Sequence, residues 1–168
     1  MRSGGRGSVV LLLLAAVVLL RPWESWDELW RDEPPRSAGA LVTRVVDGDT
    51  IEVWLDGREE DVRYIGVDTP ETVKPGEPVQ CFGPQASSFN HRLVEGKRVR
   101  LVFDEELRDV YGRLLAYVYL GKRFVSAELV RRGLARTLTI PPNDNFAGRL
   151  KRLEIAASRQ GRGLWGAC

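Results

Sequence analysis

Two short stretches of the chain place carboxylates beside runs of β-branched residues. In RVVDGDTIEV, Asp47 and Asp49 flank a glycine, and in IGVDTPETV a third aspartate, Asp68, is followed by Glu71. An Asp-Gly pair between strands usually forms a tight turn, because glycine accepts positive φ and aspartate hydrogen-bonds its own backbone. Carboxylates at the ends of neighbouring strands can also converge, and Ca²⁺ binds several such oxygens. The sequence therefore indicates either turn residues or a cation site.

The composition is that of a globular protein with one core. Of the 168 residues, 43% are hydrophobic and 29% are charged. Residues 41–120 contain 10 Lys and Arg against 15 Asp and Glu, whereas residues 121–168 contain 10 against 3. An acidic part beside a basic part suits a protein that binds a cation and an anionic polymer. An ordinary solvated surface is the alternative.

The first forty residues differ from the rest of the chain. A basic start is followed by the apolar run VVLLLLAAVVLL (residues 9–20), a pattern typical of a secretory signal. At about 1.5 Å per residue, this run is too short to cross a bilayer core comfortably. The tryptophans that follow would share one face of a helix and could rest at a membrane interface, namely Trp23, Trp26 and Trp30.

These features predict export. The chain is either released or anchored to the outer face of the membrane through residues 9–30. The segment EPPRSAGA (residues 33–40) has the composition of a linker. We therefore expect residues 1–40 to be an export signal or anchor with a Trp-rich linker, and residues 41–168 to be the globular domain.

The remaining chain alternates strand and turn signals before it becomes helical. Strands are predicted at residues 41–47, 50–55, 60–67, 97–103 and 113–120, and helices at residues 84–94, 125–132 and about 144–160. Pro84 suits the first turn of its helix. Five short strands interrupted by one helix and followed by two more predict an α+β fold, a five-stranded barrel of the oligonucleotide-binding (OB) type with three α-helices.

Four segments, in their order and spacing, resemble the staphylococcal (thermo)nuclease family. They are VVDGDTIEV, VRYIGVDTPE, YGRLLAYVYL and ELVRRGLAR, and the resemblance covers roughly Leu41 to Trp165. It implies the OB-fold barrel and Ca²⁺-dependent hydrolysis of DNA and RNA that leaves 3′-phosphate ends. Single strands or frayed ends are the expected substrates, because a shallow barrel face binds a splayed nucleotide more easily than a paired one.

The resemblance also implies which residues bind the metal and activate water. Asp49 and Asp68 would ligate Ca²⁺ through their carboxylates, and Thr69 through its backbone carbonyl. Glu71 would position or activate the attacking water. On this interpretation Gly48 allows the turn, whereas Asp49 faces the metal.

Two arginines and a tyrosine complete the implied site. Arg63 and Arg113 would hold the phosphate and stabilise its developing charge, because a guanidinium offers several donors in fixed geometry. Tyr111 would flank the bound nucleotide. The chain also departs from the family pattern, since Val110 replaces a lysine and the segment RTLTIPPND contains no tyrosine. These differences affect substrate affinity and base preference more than the chemistry.

Cys81 and Cys168 are the two cysteines of the chain. An exported protein is in a compartment that permits disulfides, so we expect them to pair; two free thiols are the alternative. The expected protein is a monomeric, exported endonuclease. A nucleic-acid or peptide binding module of the same fold without catalysis is the alternative function, and cleavage with and without Ca²⁺ separates the two.

Overall fold

A computed structural model describes residues 37–72, 76 and 78–168. The predicted export signal or anchor, including the Trp-rich segment, lies outside the described residues. No helix among the described residues has the length and apolar character needed to span a membrane.

The described residues form eight strands and four helices. The strands are β1 (Ser37–Val45), β2 (Thr50–Leu55), β3 (Arg58–Tyr64), β4 (Gly66–Asp68), β5 (Arg98–Val102), β6 (Leu114–Leu120), β7 (Arg123–Phe124) and β8 (Arg136–Leu138). The helices are α1 (Gly83–Val94), α2 (Val125–Arg131), α3 (Ala147–Arg159) and the single turn α4 (Leu164–Ala167). The first three helices confirm the prediction, and α4 is an addition to it.

Five of the strands close into a barrel. They pair antiparallel in the order β3-β2-β1-β5-β6, and a parallel pairing of β3 with β6 closes the sheet. Alternating apolar residues of these strands point inward, and Ile51, Val53, Val62 and Leu101 are fully buried. The predicted α+β fold with a five-stranded OB-type barrel is confirmed. Strands β4 and β8 form a separate two-stranded sheet.

Strand β1 begins earlier than the sequence predicts. Ser37–Leu41 pairs with β5, and Leu41–Val45 pairs with β2. The segment SAGA, which the sequence analysis placed in a linker, therefore forms half of a central barrel strand. Its small residues are compatible with this position because Ala40 faces the core, where it is buried.

Helix α3 fixes the position of β4. Its apolar face carries the buried Leu150 and Ala157. Gly66, at the start of β4, has a φ of 85°, and a Cβ there would lie 2.5 Å from Leu150 Cδ1. Only glycine satisfies both constraints. This close packing sets the turn that carries the chain from β3 to Asp68.

Candidate active site

The turn between β1 and β2 presents Asp49. The Asp47 carboxylate accepts a hydrogen bond from the Asp49 amide at 2.9 Å, which is the turn role that the sequence predicts for Asp47. Gly48 lies outside the positive-φ region, so the turn does not need glycine for its backbone conformation. It needs glycine for space, because a Cβ at Gly48 would lie 2.6 Å from Thr69 Oγ1.

The Asp49 carboxylate is held from several sides. Asp49 is only 1% exposed, and its Oδ2 accepts hydrogen bonds from the Thr69 amide at 2.6 Å and the Thr69 hydroxyl at 2.9 Å. Its Oδ1 forms an ion pair with Arg63. A buried carboxylate is stable only when it is paired and hydrogen-bonded. The turn thus keeps a charged oxygen donor at the end of the barrel.

Arg63 connects Asp49 to Asp68. Its guanidinium also donates to Asp68 Oδ1 at 2.9 Å, and its side chain is 18% exposed, whereas that of Asp68 is 57% exposed. Between these two residues the chain changes direction at Gly66, whose φ is 85°. The structure therefore brings together four of the predicted site residues, Asp49, Arg63, Asp68 and Thr69. The carboxylates of Asp49 and Asp68 both contact the Arg63 guanidinium.

Glu71 follows Thr69 by two residues, and hydrogen bonds to Gln80 fix its backbone. Its amide donates to Gln80 Oε1 at 3.1 Å, its carbonyl accepts from the Gln80 amide at 2.9 Å, and its Oε1 accepts from the Thr72 amide at 2.7 Å. A Cβ at Gly83, the first residue of α1, would lie 2.9 Å from the Glu71 carbonyl oxygen. Helix α1 therefore begins in direct contact with the Glu71 backbone.

Electrostatics place Glu71 near the turn. Burial raises the pKa of Asp47, the positive charge of Arg63 opposes this rise, and the negative charge of Glu71 adds to it. Glu71 is thus close enough to the Asp47–Asp49 turn for the charges to interact.

Arg63 and Arg113 line the same recess, whose volume is about 360 Å³. Both Nε and Nη2 of Arg113 contact Asp109 Oδ2 at 2.7 Å, and the Arg113 amide donates to Asp109 Oδ1 at 3.0 Å. Tyr111, which is 82% exposed, lies at the rim, and the Arg113 guanidinium carbon is 5.5 Å from its ring centre. An anion in this recess would meet one guanidinium group from β3 and another from the residue that precedes β6.

The recess has an apolar rim, of which the sequence indicates only Val110, as a departure from the family pattern. Val110, Leu138 and Ile140 line it and are exposed. Leu138 and Ile140 belong to the segment RTLTIPPND, for which the sequence indicates only that it lacks tyrosine. Exposed aliphatic side chains beside arginines can contact the face of a base. Asn90 and Gln80, which support the site, gave no signal in the sequence.

The donor atoms near Asp49 fit a hard cation. The carboxylates of Asp49 and Asp68 contact one positive group, and the carbonyl of Thr69 belongs to the residue that bonds to Asp49. Oxygen donors of this kind are the ligands that Ca²⁺ prefers. No group of three or more His, Cys, Asp or Glu arranged to hold a metal occurs among the described residues. Any ion here would need carbonyl or water ligands as well.

A disulfide bond links Cys81 to Cys168, 87 positions apart. It ties Cys81, two residues before α1, to Cys168. Because Gln80 directly precedes Cys81, the bond also anchors the residue that braces Glu71.

Comparison with known proteins identifies the family. A family model described as "Staphylococcal nuclease homologue" matches residues 61–167. The thermonuclease of Staphylococcus intermedius is 42% identical over 159 residues, covering 94% of this chain and 95% of that protein. The thermonuclease of Staphylococcus hyicus is 39% identical over 164 residues, covering 93% and 95%. Endonuclease YncB of Bacillus subtilis is 42% identical over 126 residues, covering 74% and 60%. The chain belongs to the staphylococcal nuclease family.

Proposed function

We propose that the protein is a Ca²⁺-dependent endonuclease that hydrolyses DNA and RNA and leaves 3′-phosphate ends. The observation that carries this proposal is the position of Arg63, which pairs with Asp49 and Asp68 and also lines the recess that contains Arg113. Arg63 therefore contacts both carboxylates proposed to bind a cation, and it also lines the recess proposed to bind a phosphate. The names of the thermonuclease and endonuclease relatives support nuclease activity.

In this proposal the carboxylates of Asp49 and Asp68 and the carbonyl of Thr69 hold Ca²⁺. When bound, the ion supplies positive charge to the phosphoryl oxygens as their negative charge increases. Glu71 accepts a proton from the attacking water. Its backbone is fixed by Gln80 and by the start of α1, so its carboxylate is positioned before substrate arrives.

The two arginines bind the phosphate from the recess. Arg113 contacts Asp109 through Nε and Nη2, and this ion pair fixes the direction of its guanidinium. Donors that are already oriented stabilise a developing charge without reorganising. The exposed apolar rim with Tyr111 offers a surface for an unpaired base, which favours single strands and frayed ends.

The proposed protein acts outside the cell as a monomer. Its export signal or anchor is proposed to precede β1, within the first forty residues, and membrane association would arise from residues 9–30. An oxidising compartment agrees with the disulfide between Cys81 and Cys168.

A labelled single-stranded DNA tests this function. We expect cleavage with Ca²⁺, none with an excess of chelator, and products whose mobility changes after phosphatase removes a 3′-phosphate. Glu71→Gln is the matched variant, because it keeps the shape of the side chain and removes the proton acceptor. Binding of the DNA without cleavage by the wild type would instead support the catalytically inactive binding module.

A further inference from the structure

Asn90 is a buried amide that connects helix α1 to the turn carrying Asp49. It is 0% exposed, its Nδ2 donates to the Asp47 carbonyl at 3.1 Å, and its Oδ1 accepts from the Tyr64 hydroxyl at 3.0 Å. Because a backbone carbonyl can only accept, the amide nitrogen must face Asp47. A buried amide is costly unless its bonds are made, and here both ends are satisfied.

The hydrogen bond from Asn90 to Asp47 constrains the position of the turn, which the bonds within the sheet do not. The turn is closed by bonds within the β1–β2 hairpin, where the Val46 amide donates to the Thr50 carbonyl at 3.0 Å. Such bonds fix the shape of the turn. The Asn90 bond comes from a helix instead, so it fixes where the turn lies relative to α1.

Helix α1 also contacts Glu71. Its first residue, Gly83, packs against the Glu71 carbonyl oxygen, while Asn90 lies two turns further along the same helix. One rigid element therefore contacts the segment of the proposed proton acceptor and the turn of the proposed metal ligand. The relative position of Glu71 and Asp49 depends on both contacts.

We propose that Asn90 is a positioning residue, which holds the turn against α1 and so keeps Asp49 at a fixed position relative to Glu71. This inference rests on the proposed function. Partners that orient metal ligands typically contribute about 10- to 100-fold to metal affinity or activity. Asn90 acts through the Asp47 carbonyl, so its effect should appear in Ca²⁺ affinity and in kcat.

Two variants separate positioning from simple stabilisation. Asn90→Leu keeps the approximate volume and removes both bonds. Tyr64→Phe removes the hydroxyl of Tyr64 and leaves the Asn90–Asp47 bond in place. We expect both to lower the unfolding midpoint in urea, but only Asn90→Leu to weaken Ca²⁺ binding by calorimetry, by about tenfold or more. Its kcat should fall by a similar factor at saturating Ca²⁺.

The outcomes distinguish this inference from the proposed function. If wild type binds Ca²⁺ and cleaves DNA, and folded Asn90→Leu binds Ca²⁺ as tightly as Tyr64→Phe, the positioning role is wrong and the function stands. If wild type neither binds Ca²⁺ nor cleaves, the proposed function fails. Should Asn90→Leu not fold, Asn90→Ser provides the same comparison, because its hydroxyl is too short to replace both bonds.

Discussion

The Arg63 guanidinium pairs with the carboxylate of Asp49, which is almost completely buried. The same guanidinium reaches Asp68, whose side chain is mostly in solvent. Two carboxylates proposed as ligands of one ion therefore have different environments. Their substitution should have different consequences for stability and the same consequence for metal binding.

The first prediction compares Asp49→Asn with Asp68→Asn. Both should weaken Ca²⁺ binding measured by calorimetry, because each removes a charged oxygen ligand. Asp49→Asn should also lower the free energy of unfolding in urea by about 1–3 kcal/mol, because it leaves Arg63 without its buried partner. Asp68→Asn should cost less than about 1 kcal/mol, as exposed pairs do.

Asp56→Asn is the control for this comparison. Asp56 is exposed in the β2–β3 hairpin and has a φ of 49°, which asparagine tolerates well. It should change neither stability nor Ca²⁺ affinity. Normal Ca²⁺ affinity in Asp68→Asn would show that the metal site has been assigned to the wrong residues.

The second prediction concerns the space at Gly48. Gly48→Ala should destabilise the protein by about 1–3 kcal/mol, because its Cβ would overlap with the Thr69 side chain. In a Thr69→Gly background the same substitution should cost much less, giving a double-mutant coupling energy measurable in urea. Gly57→Ala is the control: Gly57 has a φ of 84° and no neighbour within 4 Å of a Cβ, so its cost should be independent of Thr69.

The elements of the fold could be predicted because they depend on local patterns. Alternation of apolar residues marked the barrel strands, and Pro84 and the spacing of Leu150 and Ala157 marked two of the helices. The start of β1 at Ser37 could not be predicted, because SAGA has weak strand propensity and is held by pairing with a distant strand. The parallel closure of β3 against β6 is likewise a long-range contact.

The candidate site was predicted in its residue types, through the family resemblance, and not in its contacts. Asp49 and Arg63 were identified as separate residues, but their ion pair depends on the β2–β3 register, in which Thr50 lies opposite Arg63. Asn90 resembles any polar residue of an amphipathic helix. The positioning role proposed for Asn90 depends on its burial, and tertiary packing determines which polar residues of a helix are buried.

The third prediction concerns the disulfide. Replacing Cys81 and Cys168 together with serine should lower stability by about 4 kcal/mol, because the unfolded chain regains the freedom of a long loop. We also expect a lower kcat, since Gln80 next to Cys81 braces Glu71. Gln80→Ala should reproduce the fall in kcat with a smaller loss of stability. Two titratable thiols in unreduced, denatured protein would contradict the pairing.

The fourth prediction is a pH dependence at Glu154. Burial would raise the pKa of this carboxyl, but hydrogen bonds from Lys151 and Thr137 together lower it from its ordinary value of 4.5. A lowered pKa in the folded state stabilises the protein above the unfolded pKa, and this stabilisation is lost as pH falls through the folded pKa. Glu154→Gln should therefore be less stable than wild type by about 1–3 kcal/mol at neutral pH.

The measurement for Glu154 is urea unfolding of both proteins over a series of pH values. The difference between them should shrink as pH falls below 4.5, the ordinary value of this carboxyl. Glu52→Gln is the comparison variant, because Glu52 pairs with Arg44 at a more exposed position, where an ion pair contributes less stability than at Glu154. If the difference in unfolding free energy between wild type and Glu154→Gln stays constant with pH, packing and not charge explains the effect of the substitution.

The last prediction concerns Arg113, which lines the recess with Arg63 and pairs with Asp109. If it stabilises the transition state, Arg113→Ala should lower kcat by about 10²–10³ and change KM less. Arg113→Lys should not restore the rate, because a single ammonium cannot reproduce the geometry of a guanidinium. Both are measured on a short single-stranded DNA at saturating Ca²⁺, with circular dichroism to establish folding.

Asp109→Ala decides between catalysis and simple ion pairing at Arg113. It removes the same ion pair and also the Oδ1 acceptor of the Tyr111 and Arg113 amides, so it should cost more stability than Arg113→Ala, whose partly exposed pair contributes at most about 1 kcal/mol. It keeps the guanidinium but removes the carboxylate that orients it, so its kcat should fall, although less than that of Arg113→Ala. Equal and small effects of the two substitutions on kcat, within about fivefold of wild type or ~1 kcal/mol of barrier, would reduce Arg113 to a structural residue.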